Sequence, residues 1–75
     1  MPSIQNIKFK DCEDFILKQG CVFSRVKGDH FIYNKPGLLR PLVVPKYKTL
    51  PEFIVSNNLR LLSKTKKDLL DFLNN

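Results

Sequence analysis

His30 is the only histidine in a chain of 75 residues, and it closes the run Arg25-Val26-Lys27-Gly28-Asp29-His30. Imidazole exchanges a proton near neutral pH, and Arg and Lys side chains seat phosphate oxygens. Together these types suit chemistry at a phosphodiester. The imidazole takes a proton from an RNA 2′-hydroxyl, or gives one to the leaving 5′-oxygen, while the cations hold the phosphate. RNA needs little from such a protein, because its 2′-hydroxyl is an internal nucleophile already beside the phosphorus. A lone histidine on a strand is more often an ordinary half-exposed residue, so its neighbours decide the matter.

Other reactive side chains offer less. Cys12 and Cys21 lie among apolar neighbours at a spacing that fits neither a CxxC redox pair nor a tetrahedral zinc set, and both are expected to be buried free thiols. With no second histidine, neither a metal nor a cofactor is expected. Asp29 adjoins His30, but neighbouring strand residues point to opposite faces, so it is not assigned as an orienting partner. Arg25, Lys27, Lys46 and Lys48 are the candidate phosphate contacts. Lys64, Lys66 and Lys67 cluster where a last helix begins, the end at which its dipole disfavours cations, and solvation at a junction is their simplest account.

Positioning these residues falls to a short series of elements. The first seven residues carry no pattern and are expected to be irregular. From Lys10 to Gln19, Cys12, Phe15 and Ile16 share one face and Gly20 follows, which predicts an amphipathic helix. Residues 21–26 and 29–34 alternate and are rich in β-formers, with Lys27-Gly28 between them, and read as a hairpin. In the second strand His30, Ile32 and Asn34 share one face, while Phe31 and Tyr33 point to the core. Asn34-Lys35-Pro36-Gly37 predicts a turn before a third strand over 40–44, placed at an edge by Pro41. Thr49-x-x-Glu52 has the form of a capping box before PEFIVSNNLRLL, and Thr65-x-x-Asp68 repeats it before KKDLLDFL. The expected fold is therefore α+β, in the order α-β-β-β-α-α, with helices on one face of a three-stranded antiparallel sheet and the other face open. Phe53, Ile54, Leu59, Leu62, Leu69, Leu70 and Phe72 exceed what one short helical face needs, and some are expected to form a docking patch.

Size and charge narrow the partners. Seventy-five residues without repeats or linkers are read as a single domain, 1–75, with any site near its surface. Thirteen Lys and Arg against seven Asp and Glu give a net charge of +6, which favours a polyanion. Residues 31–50 contain Lys35, Arg40, Lys46 and Lys48 and no acid, so the excess sits mid-chain. No apolar run approaches a membrane span, and a cytoplasmic protein, monomeric when free, is expected.

From Gly20 to His30 the sequence Gly-Cys-Val-Phe-Ser-Arg-Val-Lys-Gly-Asp-His resembles, without a gap, the G-F-x-x-x-R-x-x-G-S-H core of the HicA family of toxin mRNA interferases. Val44-Pro45-Lys46-Tyr47 resembles that family's later V-P-x-H segment, and the likeness runs over roughly residues 8–73. The resemblance implies a fold like that of double-stranded-RNA-binding domains and ribosome-independent cleavage of mRNA. It implies a catalytic role for His30, beside which the expected RNA-binding residues are Arg25, Lys27, Gly28, Lys46, Tyr47 and Lys48. A HicB-like antitoxin covering the active face is implied as well. Three positions depart from the pattern: Cys21 replaces Phe, Asp29 replaces a small hydroxyl residue, and Tyr47 replaces His. Asp29 sets a negative charge beside an incoming phosphate, whereas Tyr47 retains the ability to stack on a base or donate a hydrogen bond. An attenuated or inactive RNA-binding module, or a decoy that occupies an antitoxin, are the alternative readings.

Overall fold

Apolar side chains three and four apart make Phe9–Lys18 a helix (α1) in the computed structural model, which describes residues 6–74, and they bury Cys12, Phe15 and Ile16. Gly20 ends it. With φ at +97°, Gly20 donates its N–H to the Leu17 carbonyl (3.0 Å) and Cys21 donates to Ile16 (3.2 Å), a Schellman closure that requires the left-handed backbone glycine adopts readily. Ahead of the helix, Ile7–Lys8 (β1) contradicts the expectation of an irregular start at residue 7, since Ile7 is buried and β1 pairs antiparallel with Thr49–Leu50 (β5), while Asn6 is a turn residue. The same expectation for residues 1–5 lies outside the described residues. Two-residue strands are too short to leave a periodic signature, which is why the sequence does not announce this ribbon.

The main sheet has the order β2-β3-β4, built from Val22–Lys27 (β2), His30–Asn34 (β3) and Leu42–Pro45 (β4), all antiparallel. Lys27 pairs with His30, so the connecting loop is Gly28-Asp29 rather than Lys27-Gly28. Gly28 takes φ +61° and Asp29 does not take a positive φ, the combination demanded by a type II′ hairpin turn. The next turn follows the same logic: Pro36 is at its second position, Gly37 with φ +91° at its third, and Leu38 N–H donates to the Lys35 carbonyl (3.2 Å). β4 starts just after Pro41 at a sheet edge, as the proline requires.

One face of the sheet makes the core. Tyr33, Leu42 and Val44 have no exposed surface, and they pack with Phe15 and Ile16 of α1 and with Val55, Leu59 and Leu69 from Glu52–Leu61 (α2) and Lys66–Leu73 (α3). Aromatic rings continue the contact from sheet to helix: Phe31 lies 5.1 Å from Phe9 and 6.1 Å from Phe23, and Phe15 meets Phe72 edge-on at 5.4 Å. Tyr33 donates its hydroxyl to Glu13 Oε2 at 2.6 Å, tying β3 to α1. Burial first, and then that hydrogen bond, push the Tyr33 pKa well above its ordinary value, so the hydroxyl stays a donor. The α+β layer with helices on one face is thus as the sequence implies. Phe53 remains 64% exposed, so the surplus of apolar residues is partly a surface feature, whereas Leu59, Leu62 and Leu69 are core.

The two capping boxes part company. At Thr65 the box forms: its hydroxyl accepts from Asp68 N–H (3.1 Å) and Asp68 Oδ2 accepts from Thr65 N–H (2.8 Å). Thr49 instead belongs to β5, and α2 begins at Glu52 with Pro51 as its N-cap and no side-chain cap, because strand pairing with Lys8 places Thr49 too far back. Replacing Thr65 by Ala should therefore lower stability by about 1 kcal/mol, and Thr49→Ala by less than about 0.5 kcal/mol, in urea unfolding. Hydrogen bonds from the Thr65 backbone, and then its hydroxyl, hold the Asp68 carboxyl below its ordinary 3.8. Its contribution is present in full above that value and is lost as pH falls through the lower folded value; acid titration of the Asp68→Asn protein should lack this component.

Both cysteines are buried free thiols, as expected. Burial, then the Glu13 charge, push Cys12 up to about 11, and burial also raises Cys21. At about pH 8, where an exposed thiol reacts readily, an alkylating reagent should leave both unmodified in the folded protein and label both in denaturant.

Candidate functional site

His30 opens β3 on the face away from the helices, because Phe31 and Tyr33 alternate with it toward the core. It is exposed. Across the ladder its neighbours are Lys27 on one side and Pro45 on the other. Ile32, next on the same face, is flanked by Arg25 and Val43, and it is buried without belonging to the main core.

Arg25 and Lys27 reach this face through an irregularity. Phe23 pairs with Tyr33 but Arg25 pairs with Ile32, so Ser24 is an extra residue, a β-bulge. In an unbroken strand Phe23, Arg25 and Lys27 would share a face; the bulge leaves Phe23 on the core side and turns both cations toward His30. The hairpin pattern in the sequence makes Arg25 and Lys27 candidate phosphate contacts without revealing the bulge. Its signal is the spacing of three between the core-facing Phe23 and Val26, where an unbroken strand would show two.

The result is a depression of about 430 Å³ lined by Arg25, Lys27, His30, Ile32, Pro41 and Val43. Neither cation has an ion-pair partner among the described residues, nor does His30 have a side-chain hydrogen bond there. An unpaired cation pair around an accessible imidazole can hold an anion and pass a proton to it. Gly28 forms the hairpin tip beside them.

The second group of expected RNA contacts sits apart. Lys46, Tyr47 and Lys48 are exposed and follow β4, with the Lys46 N–H donating to the Asp29 carbonyl at 2.7 Å and the Lys48 carbonyl accepting from Phe9 N–H at 3.1 Å. Their backbone thus braces the hairpin tip and the start of α1. None of the three lines the depression.

On the other side of His30 a second cleft, about 220 Å³, runs between β4 and α2, and it brings in Arg40, Asn57 and Asn58, which sequence reasoning did not select. Arg40 was visible only as part of an acid-free stretch. The two asparagines had no signal beyond a helical spacing from Ile54. Among the described residues, no group of three His, Cys, Asp or Glu side chains is placed to hold a metal ion, and no helix is long and apolar enough to cross a membrane.

Comparison with curated proteins and with solved structures gives no match in either case. The family of the HicA toxin of bacterial toxin-antitoxin does match, over residues 9–62, a span holding α1, the whole main sheet and α2 and therefore every residue around His30. On the strength of that match, extending over most of its length, the chain belongs to the HicA toxin family.

Proposed function

We propose that this HicA-family chain is an endoribonuclease toxin that cuts mRNA and so halts translation, using His30 as general acid or base without a metal. The observation that carries the reading is the exposed imidazole sharing one depression with two cations that no carboxylate among the described residues neutralises. In the transesterification, O2′ forms a bond to phosphorus and the bond from phosphorus to O5′ breaks. The 2′-hydroxyl proton leaves as attack proceeds and O5′ gains one as it departs; His30 serves one of these transfers and solvent the other. Arg25 and Lys27 offset the charge that grows on the non-bridging oxygens. Lys46, Tyr47 and Lys48 extend the grip past the hairpin tip, and Gly28 lets the backbone there come close to the strand.

Asp29 favours a slower enzyme than the family pattern gives, because it adds a negative charge at the tip where a small hydroxyl residue is usual. A HicB-like antitoxin covering the sheet's open face restrains the toxin in the cytoplasm. The same family membership also accommodates a non-cutting RNA binder or a decoy, and cleavage assays separate these.

With purified protein and a defined RNA, His30→Ala should lose about 10²–10⁴-fold in cleavage rate while keeping its circular dichroism and RNA affinity. Products of the wild-type reaction should end in 2′,3′-cyclic phosphate, and a single 2′-deoxy substitution at the cut site should block it; unchanged cutting by His30→Ala ends this reading. Arg25→Gln and Lys27→Gln should each weaken RNA binding and lower the slope of log affinity against log salt by about 1. Asp29→Ser should raise the cleavage rate severalfold, measured at low salt.

A further inference from the structure

The proton-transfer scheme leaves the cleft between β4 and α2 unused, although His30 forms part of both its wall and that of the first depression. Its α2 side is the stripe Ile54, Asn57, Asn58 and Leu61, at spacings of three, four and seven, which adjoins the core stripe Val55, Leu59 and Leu62. Two carboxamides therefore sit between two aliphatic side chains, facing Val43 and Pro45 across the cleft. Asn58 is only 5% exposed, and its Nδ2 is buried with no hydrogen-bond partner among the described residues. A buried amide left without an acceptor is costly and asks for a reason. An acceptor arriving with a ligand supplies one, since rotation about the broad terminal torsion of Asn58 carries its amide hydrogens to whatever the cleft holds.

Charge identifies the ligand. Arg40 lines the cleft and has no ion-pair partner among the described residues, and with Asn57 and Arg60 it also lines the next depression along α2. An anion is wanted at the rim, a hydrogen-bonding edge beside Asn58 and a flat apolar body between the aliphatic walls. The volume, about 220 Å³, falls below the roughly 300–1,000 Å³ of sites for whole small molecules. One unit of a longer polymer fits that description.

We propose that the cleft is a nucleotide subsite adjoining the scissile phosphate, in which Arg40 holds the phosphate and the Asn58 carboxamide reads the edge of a base lying between Val43 with Pro45 and Ile54 with Leu61. The inference rests on the nuclease reading of His30 for its place relative to the cut, though its binding claim is tested separately. The RNA strand runs from Arg25 and Lys27, over His30, into this cleft. The base it inserts there selects which sites are cut.

The test uses the full chain, labelled with ¹⁵N, and 2′-O-methyl tetranucleotides of each base, which bind but lack the nucleophile. Saturation should shift the Asn58 side-chain amide and Arg40 Nε–H signals. Arg40→Gln should weaken binding about tenfold and lower the salt slope by about 1. Asn58→Leu should erase the difference in affinity among the four bases while raising the melting temperature, a pairing that a purely structural asparagine does not give. If Asn58→Leu fails to fold, the exposed Arg40 and Asn57 carry the test, with Asn57→Ala expected to weaken binding. Unmoved cleft signals at saturation, or an unchanged affinity and salt slope in Arg40→Gln, overturn the proposal. So does a cleft that responds to an acidic antitoxin segment and not to the oligonucleotides. A wild-type protein that binds these probes in the cleft yet cuts no RNA sinks the nuclease reading alone; one that cuts RNA with the cleft silent sinks the subsite alone.

Discussion

The burial of Tyr33 governs the arrangement of everything around it. This ring has no exposed surface, its hydroxyl is spent on Glu13 of α1, and its neighbours on the same strand face are Phe31 and, across the ladder, Phe23 and Leu42. A strand offers its side chains alternately to two sides, so anchoring Tyr33 and Phe31 to the helices commits His30 and Ile32 to the opposite side. A register slip by one residue would bury the imidazole and expose the tyrosine. The aromatic contacts from Phe9 through Phe31 and Phe23 to Tyr33 make that slip prohibitively unfavourable.

Charge is organised by the same economy. β2 contributes little to the core, and all six of its residues are exposed, so it is free to accept a bulge that a central strand would resist. The bulge sends Arg25 and Lys27 to the side of His30 while Phe23 and Val26 remain on the other. Charged side chains and a bulge on an outer strand also discourage pairing with a second chain. One local irregularity therefore both gathers two cations beside His30 and protects the edge.

Much of this was legible in the sequence, and the limits follow a pattern. Strong local signals succeeded: the alternation around Tyr33, the glycine after α1, Pro36-Gly37 and the Thr65 box each rest on neighbours within a few residues. Signals that depend on distant partners failed. The ribbon of Ile7 with Leu50 joins residues 43 apart and is only two residues long, and it diverted Thr49 from the cap its spacing suggested. At the site, His30 and the hairpin cations could be read from the R-x-x-G-x-H order, but Arg40, Asn57 and Asn58 meet only because α2 folds back beside β4. Nothing in local periodicity reports which edge of a sheet a helix will flank.

The contact of Phe15 with Phe72 carries a consequence for synthesis. All the residues around His30 leave the ribosome before α3 does, yet Phe15, which shares the core with Tyr33 and Leu42, lacks its edge-on contact with Phe72 until residues 66–73 emerge. Non-local contacts of this kind are made late. A nascent chain that has exposed its sheet but not its last helix lacks part of the core that holds β3 in register. The sheet that carries His30 therefore gains the full core behind it only once α3 has emerged and docked on α1.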